Sequence, residues 1–230
     1  MNKPGIRNSA TRNSATRKSA VKIGFIALLF IFALLPGNES RQDVKASELK
    51  EIVCNTPTVF VTDKAHSKVG FRVRHLGISN VNGFFDEYEA KVSFDTNDFS
   101  TLKAEATIQV NSLNTGIDRR DNHLRSNDFF NAEAYPVIKF VSKEIRNIDK
   151  GRFELVGDLT IRDITREVVF DAEFFGIEKM GQTTKAGFEA STMVNRFDYD
   201  LKWDRMTEAG GLVVSENVRI QLDLELNAQE

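Results

Sequence analysis

Two clusters in this chain carry residue types that could do chemistry. The first is Asp63, His66 and Ser67, an acid, a base and a hydroxyl close together. It invites a hydrolase reading, with serine as nucleophile and histidine as base. That chemistry needs the base held across space from the nucleophile, and donors for an oxyanion. On a strand, adjacent residues face opposite sides, so His66 and Ser67 diverge. No Gly-x-Ser-x-Gly turn occurs in the chain. Both side chains are therefore expected to bond neighbouring backbone at the start of the first strand, and no catalytic residue is assigned. The second cluster is Arg119, Arg120, Asp121, His123 and Arg125. Arginine's planar fork donates paired hydrogen bonds to phosphate. Arg120, His123 and Arg125 are read as a rim for a polar or phosphorylated head group, against the alternative of a solvated helix with internal ion pairs.

The three histidines, His66, His75 and His123, lie far apart and show no ligand-pair spacing, so no metal is expected. No glycine-rich phosphate loop points to a cofactor. A net charge of −2 gives no field for capturing nucleic acid. The single cysteine, Cys54, excludes an intrachain disulfide, and Glu51-Ile52-Val53 before it argues against a lipidation site.

The elements that must position these groups alternate with period two, as strands with one buried face do. Phe71, Val73 and His75 oppose Arg72 and Arg74. Ala90, Val92 and Phe94 follow, then Ala104 to Val110, Ile138 and Phe140, Leu155 to Ile161, and Val168 to Phe174. Phe188 to Val194 continues, and the last run is Val218, Ile220, Leu222, Leu224 and Leu226. About eight such runs with turn residues between them indicate an all-β antiparallel meander. Closed on itself, an eight-stranded sheet has room for one thin ligand. A helical insertion is expected within 117–135, with Asp128 as N-cap of a helix that Pro136 ends. Phenylalanine occurs 18 times against three tyrosines and one tryptophan, which fits either a dry aromatic core or an apolar cavity.

Residues 1–22 are basic and carry the tandem Asn8-Ser-Ala-Thr-Arg12 and Asn13-Ser-Ala-Thr-Arg17. An apolar run, Ile23 to Leu35, follows and is closed by Pro36-Gly37. As a helix it spans about 20 Å, short of a bilayer core of roughly 30 Å. Residues 1–36 thus read as an export signal or an uncleaved anchor, and 37–57 as a linker. Basic residues before the run place the barrel outside the cytoplasm, periplasmic or secreted, with membrane contact through 23–35.

Four phrases narrow the reading further: Asp63-Lys-Ala-His66-Ser67; Arg120-Asp-Asn-His123-Leu-Arg125-Ser126; Asp128-Phe129-Phe130 with Tyr135-Pro136 and Phe140; and Gly157-Asp-Leu159-Thr160-Ile161. In this order they resemble the YceI-like family over residues 58–226. The resemblance implies a closed eight-stranded lipocalin-like barrel with a short helical insertion, binding a polyisoprenoid, quinone-like or related long-chain lipid without catalysis. Ligand contacts are then expected from Phe71, Val73, His75, Phe85, Phe94, Phe129, Phe130, Phe140, Phe170 and Leu222. Asn195-Arg196-Phe197-Asp198 resembles another phrase of the family, with Arg196 expected to pair with an acid and pin a strand. Asp163 stands where the family has a small residue or glycine, and Tyr199-Asp200 where an aromatic-glycine pair is usual. An enzyme using His75 or His123 on a lipid-like substrate, and a packed barrel with no ligand, are the alternatives. Pairing of two copies is left open.

Overall fold

The structure, a computed structural model, describes residues 57–208 and 210–229. The expected export signal or anchor, the expected linker up to residue 56 and Cys54 lie outside the described residues. Eleven strands form one antiparallel sheet: β1 (Thr58–Thr62), β2 (Lys68–His75), β3 (Ser79–Phe85), β4 (Tyr88–Asp95), β5 (Asp98–Gln109), β6 (Leu113–Asn114), β7 (Val137–Asp149), β8 (Arg152–Ile161), β9 (Ile164–Met180), β10 (Thr183–Asn195) and β11 (Val214–Ala228). Their order is β1-β4-β5-β7-β8-β9-β10-β11, and β11 pairs back with β1 to close the sheet. The expected eight-stranded barrel is thus present.

The three extra strands are continuations. β1 and β2 both pair antiparallel with β11, one beside Leu226 and the other along Val214–Asp223. β4 pairs with β1 where β3 pairs with β2, and β6 extends β5 against Phe84 and Phe85. Three of the eight positions are therefore each broken once. Buried backbone groups at a break need other partners, and side chains supply them. Ser67 Oγ donates to the Glu225 carbonyl at 2.8 Å and accepts from the Glu225 amide at 3.0 Å. Thr62 Oγ1 does the same for both backbone groups of Ala90. Beside Ser67, Asp63 folds the turn by accepting from the Ala65 amide, and its carboxylate meets His66 Nδ1 at 3.1 Å. The phrase that suggested a hydrolase stitches a broken strand, and His66 and Ser67 lie in the connection between β1 and β2, not on a strand as expected.

One expectation is corrected. The helix, α1, is Asp118–Arg125, and the segment from Asp128 to Tyr135 is a series of turns. Asn131 takes a left-handed backbone (φ 49°), which stops a right-handed helix from propagating. The Asp128 carboxylate caps no helix and instead bonds His123 Nε2 at 2.9 Å. The two positions that depart from the family pattern also sit in the left-handed region. Asp163 (φ 57°) follows Arg162 (φ 51°) in the two-residue β8–β9 turn, and Asp200 has φ 61°. Aspartate tolerates that backbone better than most residues, so both turns keep the shape a glycine would give.

Candidate functional site

The barrel interior divides along its axis. At the end where β4 finishes and β8 begins, six phenylalanines pack ring against ring. Phe94 stacks on Phe60 at 5.3 Å and meets Phe99, Phe174 and Phe188 edge-on; Phe99 joins Phe153 and Phe174. Phe60 and Phe94 are almost completely buried. This plug seals one end. Phe94, expected in a cavity wall, belongs to the plug: its ring is enclosed by four others and touches no free space.

Above the plug the barrel is hollow. A cavity of about 200 Å³ lies among Phe71, Val73, Phe85, Phe129, Phe130, Phe140, Phe170 and Leu222, with Tyr88, Ile108, Ile138 and Leu155 completing the wall. Eight of the ten expected contact residues are thus brought together. Two glycines make the space. A Cβ on Gly83 would lie 2.3 Å from Phe71 Cζ, and one on Gly157 would lie 2.5 Å from Phe140 Cζ. Because the side chain is missing, each ring folds back against the neighbouring strand instead of crossing the lumen.

His75 is not in the wall. It ends β2 beside Ser79 and Val214, where the strand leaves the barrel and its side chain has passed the lumen. The three rim candidates do not line the cavity either, and the two arginines are committed to the protein's own groups. Arg120 donates to Thr115 through Nε and Nη2. Arg125 donates to the carbonyls of Asn111 and Leu113. Buried Asp121 accepts from the amide and hydroxyl of Thr115. The charged helix is clamped onto the end of β6. His123 packs against Phe129 and Trp203, at 5.1 and 5.4 Å between ring centres.

The mouth is the end where β2 and β10 finish and β11 begins. Two segments cover it, 126–136 and 196–213. Arg162 fastens one to the other, its Nη1 donating to the carbonyls of Phe129 at 2.8 Å and Asp200 at 2.7 Å. Arg196, 5% exposed, donates to the carbonyls of Leu201, Trp203, Val214 and Ser215. Instead of pairing with an acid it pins backbone, since the loop it holds turns four carbonyls toward it. Burial lowers its pKa, with partial compensation from Asp204 and Glu216. Burial also pushes the Tyr199 hydroxyl up to about 12, so it stays protonated at the inner face of the lid. Sequence reasoning missed Arg162, Trp203 and Tyr88. For Tyr88 a signal existed, because it extends the Ala90, Val92, Phe94 alternation by one step. Arg162 and Trp203 carry no periodic signal, since both act from turns.

A closed antiparallel barrel with a plugged end and a carbon-lined lumen defines a lipocalin-like container. A YceI-like domain profile matches residues 60–226. The chain belongs to the YceI-like family. A UPF0312 protein of Staphylococcus aureus strain MSSA476 is 39% identical over 175 residues, spanning 75% of this chain and 99% of the relative. The crystal structure of a Campylobacter jejuni YCEI protein is 36% identical, covers 73% of this chain and 96% of its own, and superposes with a TM-score of 0.61. A polyisoprenoid binding domain from Saccharophagus degradans shares the fold at a TM-score of 0.54 and 18% identity, covering 74% of this chain and 98% of its own.

Proposed function

We propose that this barrel binds a long, thin apolar chain, of polyisoprenoid or quinone-tail type, without transforming it. The observation that carries the reading is the cavity: hollow, lined by carbon, and set between a solid plug and a fastened lid. Each methylene leaving water contributes about 0.8 kcal/mol, so a chain needs no polar contact to be held there. The volume narrows the class. About 200 Å³ is below the ~300–1,000 Å³ typical of pockets for drug-sized molecules. A single chain threaded along the axis suits such a lumen, and a fused-ring ligand does not. A longer chain continues through the mouth. Binding is favoured over catalysis because Ser67 is bonded to Glu225 backbone and His75 and His123 stand outside the wall. A structural neighbour described as polyisoprenoid-binding supports the ligand class by shared fold.

The test is uptake. Solvent extraction of the purified protein, followed by mass spectrometry, and uptake of a long-chain isoprenoid alcohol are both expected to find lipid. Val73→Trp fills the lumen and is expected to abolish uptake while the variant stays folded by circular dichroism. A folded wild type with no lipid extracted and none taken up leaves the packed-barrel reading in place.

We also propose that the barrel lies outside the cytoplasm, released or held by residues 23–35. Its support is the basic stretch followed by a short apolar run. A reporter active only in the cytoplasm, fused after Glu230, is expected to stay silent; full activity contradicts export.

A further inference from the structure

The β2–β3 hairpin projects at the mouth, and its outer surface has an unusual composition. From Lys68 to Phe85 it holds Lys68, Arg72, Arg74 and His75 and no acid. Its three-residue tip exposes Leu76 and Ile78, the latter 82% exposed. Leu76 holds a left-handed backbone (φ 52°), a conformation in which leucine is costly and asparagine or glycine is not. Met206, 55% exposed, lies on the neighbouring segment, which is tied to the tip by the Leu76 amide bonding the Val213 carbonyl. The tip thus carries two exposed apolar side chains, with a third on the adjoining segment.

Below the tip the arginines meet no acid, although Arg72 donates to the side-chain oxygen of Asn80 at 3.1 Å. Arg72 lies directly across from Arg219 on β11, and across from Asn82 on β3; Arg74 lies across from Asn80. All three arginines are exposed. None of them has an ion-pair partner among the described residues. Like charges directly opposite on a sheet destabilise it unless an anion sits between them. On another part of the outer face, by contrast, Lys143 pairs with Asp158 and Glu167.

We propose that this hairpin docks the mouth onto an anionic phospholipid surface, with Leu76 and Ile78 entering the acyl boundary and Arg72, Arg74 and Arg219 on the phosphates. An apolar tip over a purely basic stem matches the two layers such a surface presents. The lipid-carrier reading supplies only the purpose of docking, which is to let an insoluble chain pass between bilayer and lumen without crossing water.

The experiment uses the full chain in a Cys54→Ser background, with a polarity-sensitive fluorophore on Ile78→Cys. Vesicles of phosphatidylglycerol mixed with phosphatidylcholine are expected to shift its emission to the blue, and vesicles of phosphatidylcholine alone to do so far less. Arg72→Ser and Arg74→Ser, checked for folding by circular dichroism, are each expected to weaken that partition about fivefold. Raising salt is expected to act the same way. A control label on Lys150→Cys, in the β7–β8 turn at the plugged end, is expected not to respond. No shift at position 78, or an equal shift at position 150, overturns the proposal. A shift with soluble polyglutamate and none with vesicles overturns it in favour of an acidic protein partner. A protein that docks but takes up no lipid sinks the carrier reading and leaves docking intact.

Discussion

In the lower half of the barrel Phe60, Phe94, Phe99, Phe153, Phe174 and Phe188 stack and pack edge-on, with Phe153 and Phe188 forming part of the cavity wall. In the upper half Phe71 and Phe140 lie against Gly83 and Gly157, and the axis stays open. The same side chain makes a stopper in one place and a wall in the other. What differs is its neighbour on the same face. A ring that meets another ring across the lumen fills it, and a ring that finds a glycine beside it folds flat and clears it. An aromatic surplus therefore does not distinguish core from cavity until its cross-strand partners are known.

The comparison breaks first on stability. Phe94→Ala is expected to cost about 4 kcal/mol, because four rings lose a partner in a site too tight to collapse. Phe170→Ala, whose ring already faces free space on one side, is expected to cost roughly half as much. Denaturant unfolding measures both, and equal costs would erase the distinction between plug and wall.

The next effect concerns the lid. Arg196→Met leaves four carbonyls without their donor and is expected to cost about 3 kcal/mol. Faster amide exchange should be confined to 196–215, with the plug strands unchanged. Exchange that rises equally at both ends would show that the mouth is not a separate unit.

Gly157→Ala is a smaller and sharper probe of the wall. Its new methyl meets both the Phe140 ring and, at 2.6 Å, the Val141 carbonyl oxygen, so the ring and the β7 backbone must shift, at an expected cost of about 2 kcal/mol. Uptake of an isoprenoid alcohol should fall with it. Unchanged uptake would mean that the ring's position does not set the lumen.

The smallest effect lies at the stitched strand break beside the plug. A hydrogen bond from the Lys185 ammonium, aided by His66, holds the Asp63 carboxyl well below its usual 3.8. A depressed carboxylate stabilises the fold above its unfolded value and stops doing so as pH falls through the folded one. Acid unfolding of the wild type should therefore steepen below pH 3.8, and Asp63→Asn should lose that part of the slope while staying close to wild type in lumen uptake. An unchanged acid profile in the variant would remove Asp63 from the account.

The sequence alone determined the all-β class and the inward face of most strands, because a strand's burial is written in a local period of two; closure of the barrel came only as an implication of the family resemblance. It did not show that His66 and Ser67 sit in a turn between β1 and β2, where strand alternation does not apply. Among the residues around the cavity, Phe71, Val73, Phe140, Phe170 and Leu222 follow that period, whereas Phe85, Phe129 and Phe130 came only with the family resemblance. What the period could not say is how far along the axis each inward side chain sits, or which strand it faces. Phe94 and Phe71 obey the same alternation, yet one ends in the plug and the other beside Gly83. The breaks that turn eight strands into eleven segments, and Arg162 and Arg196 holding the lid, were likewise settled only in three dimensions. Those contacts join residues distant along the chain, and their partners are backbone carbonyls, which every residue has and no sequence pattern marks.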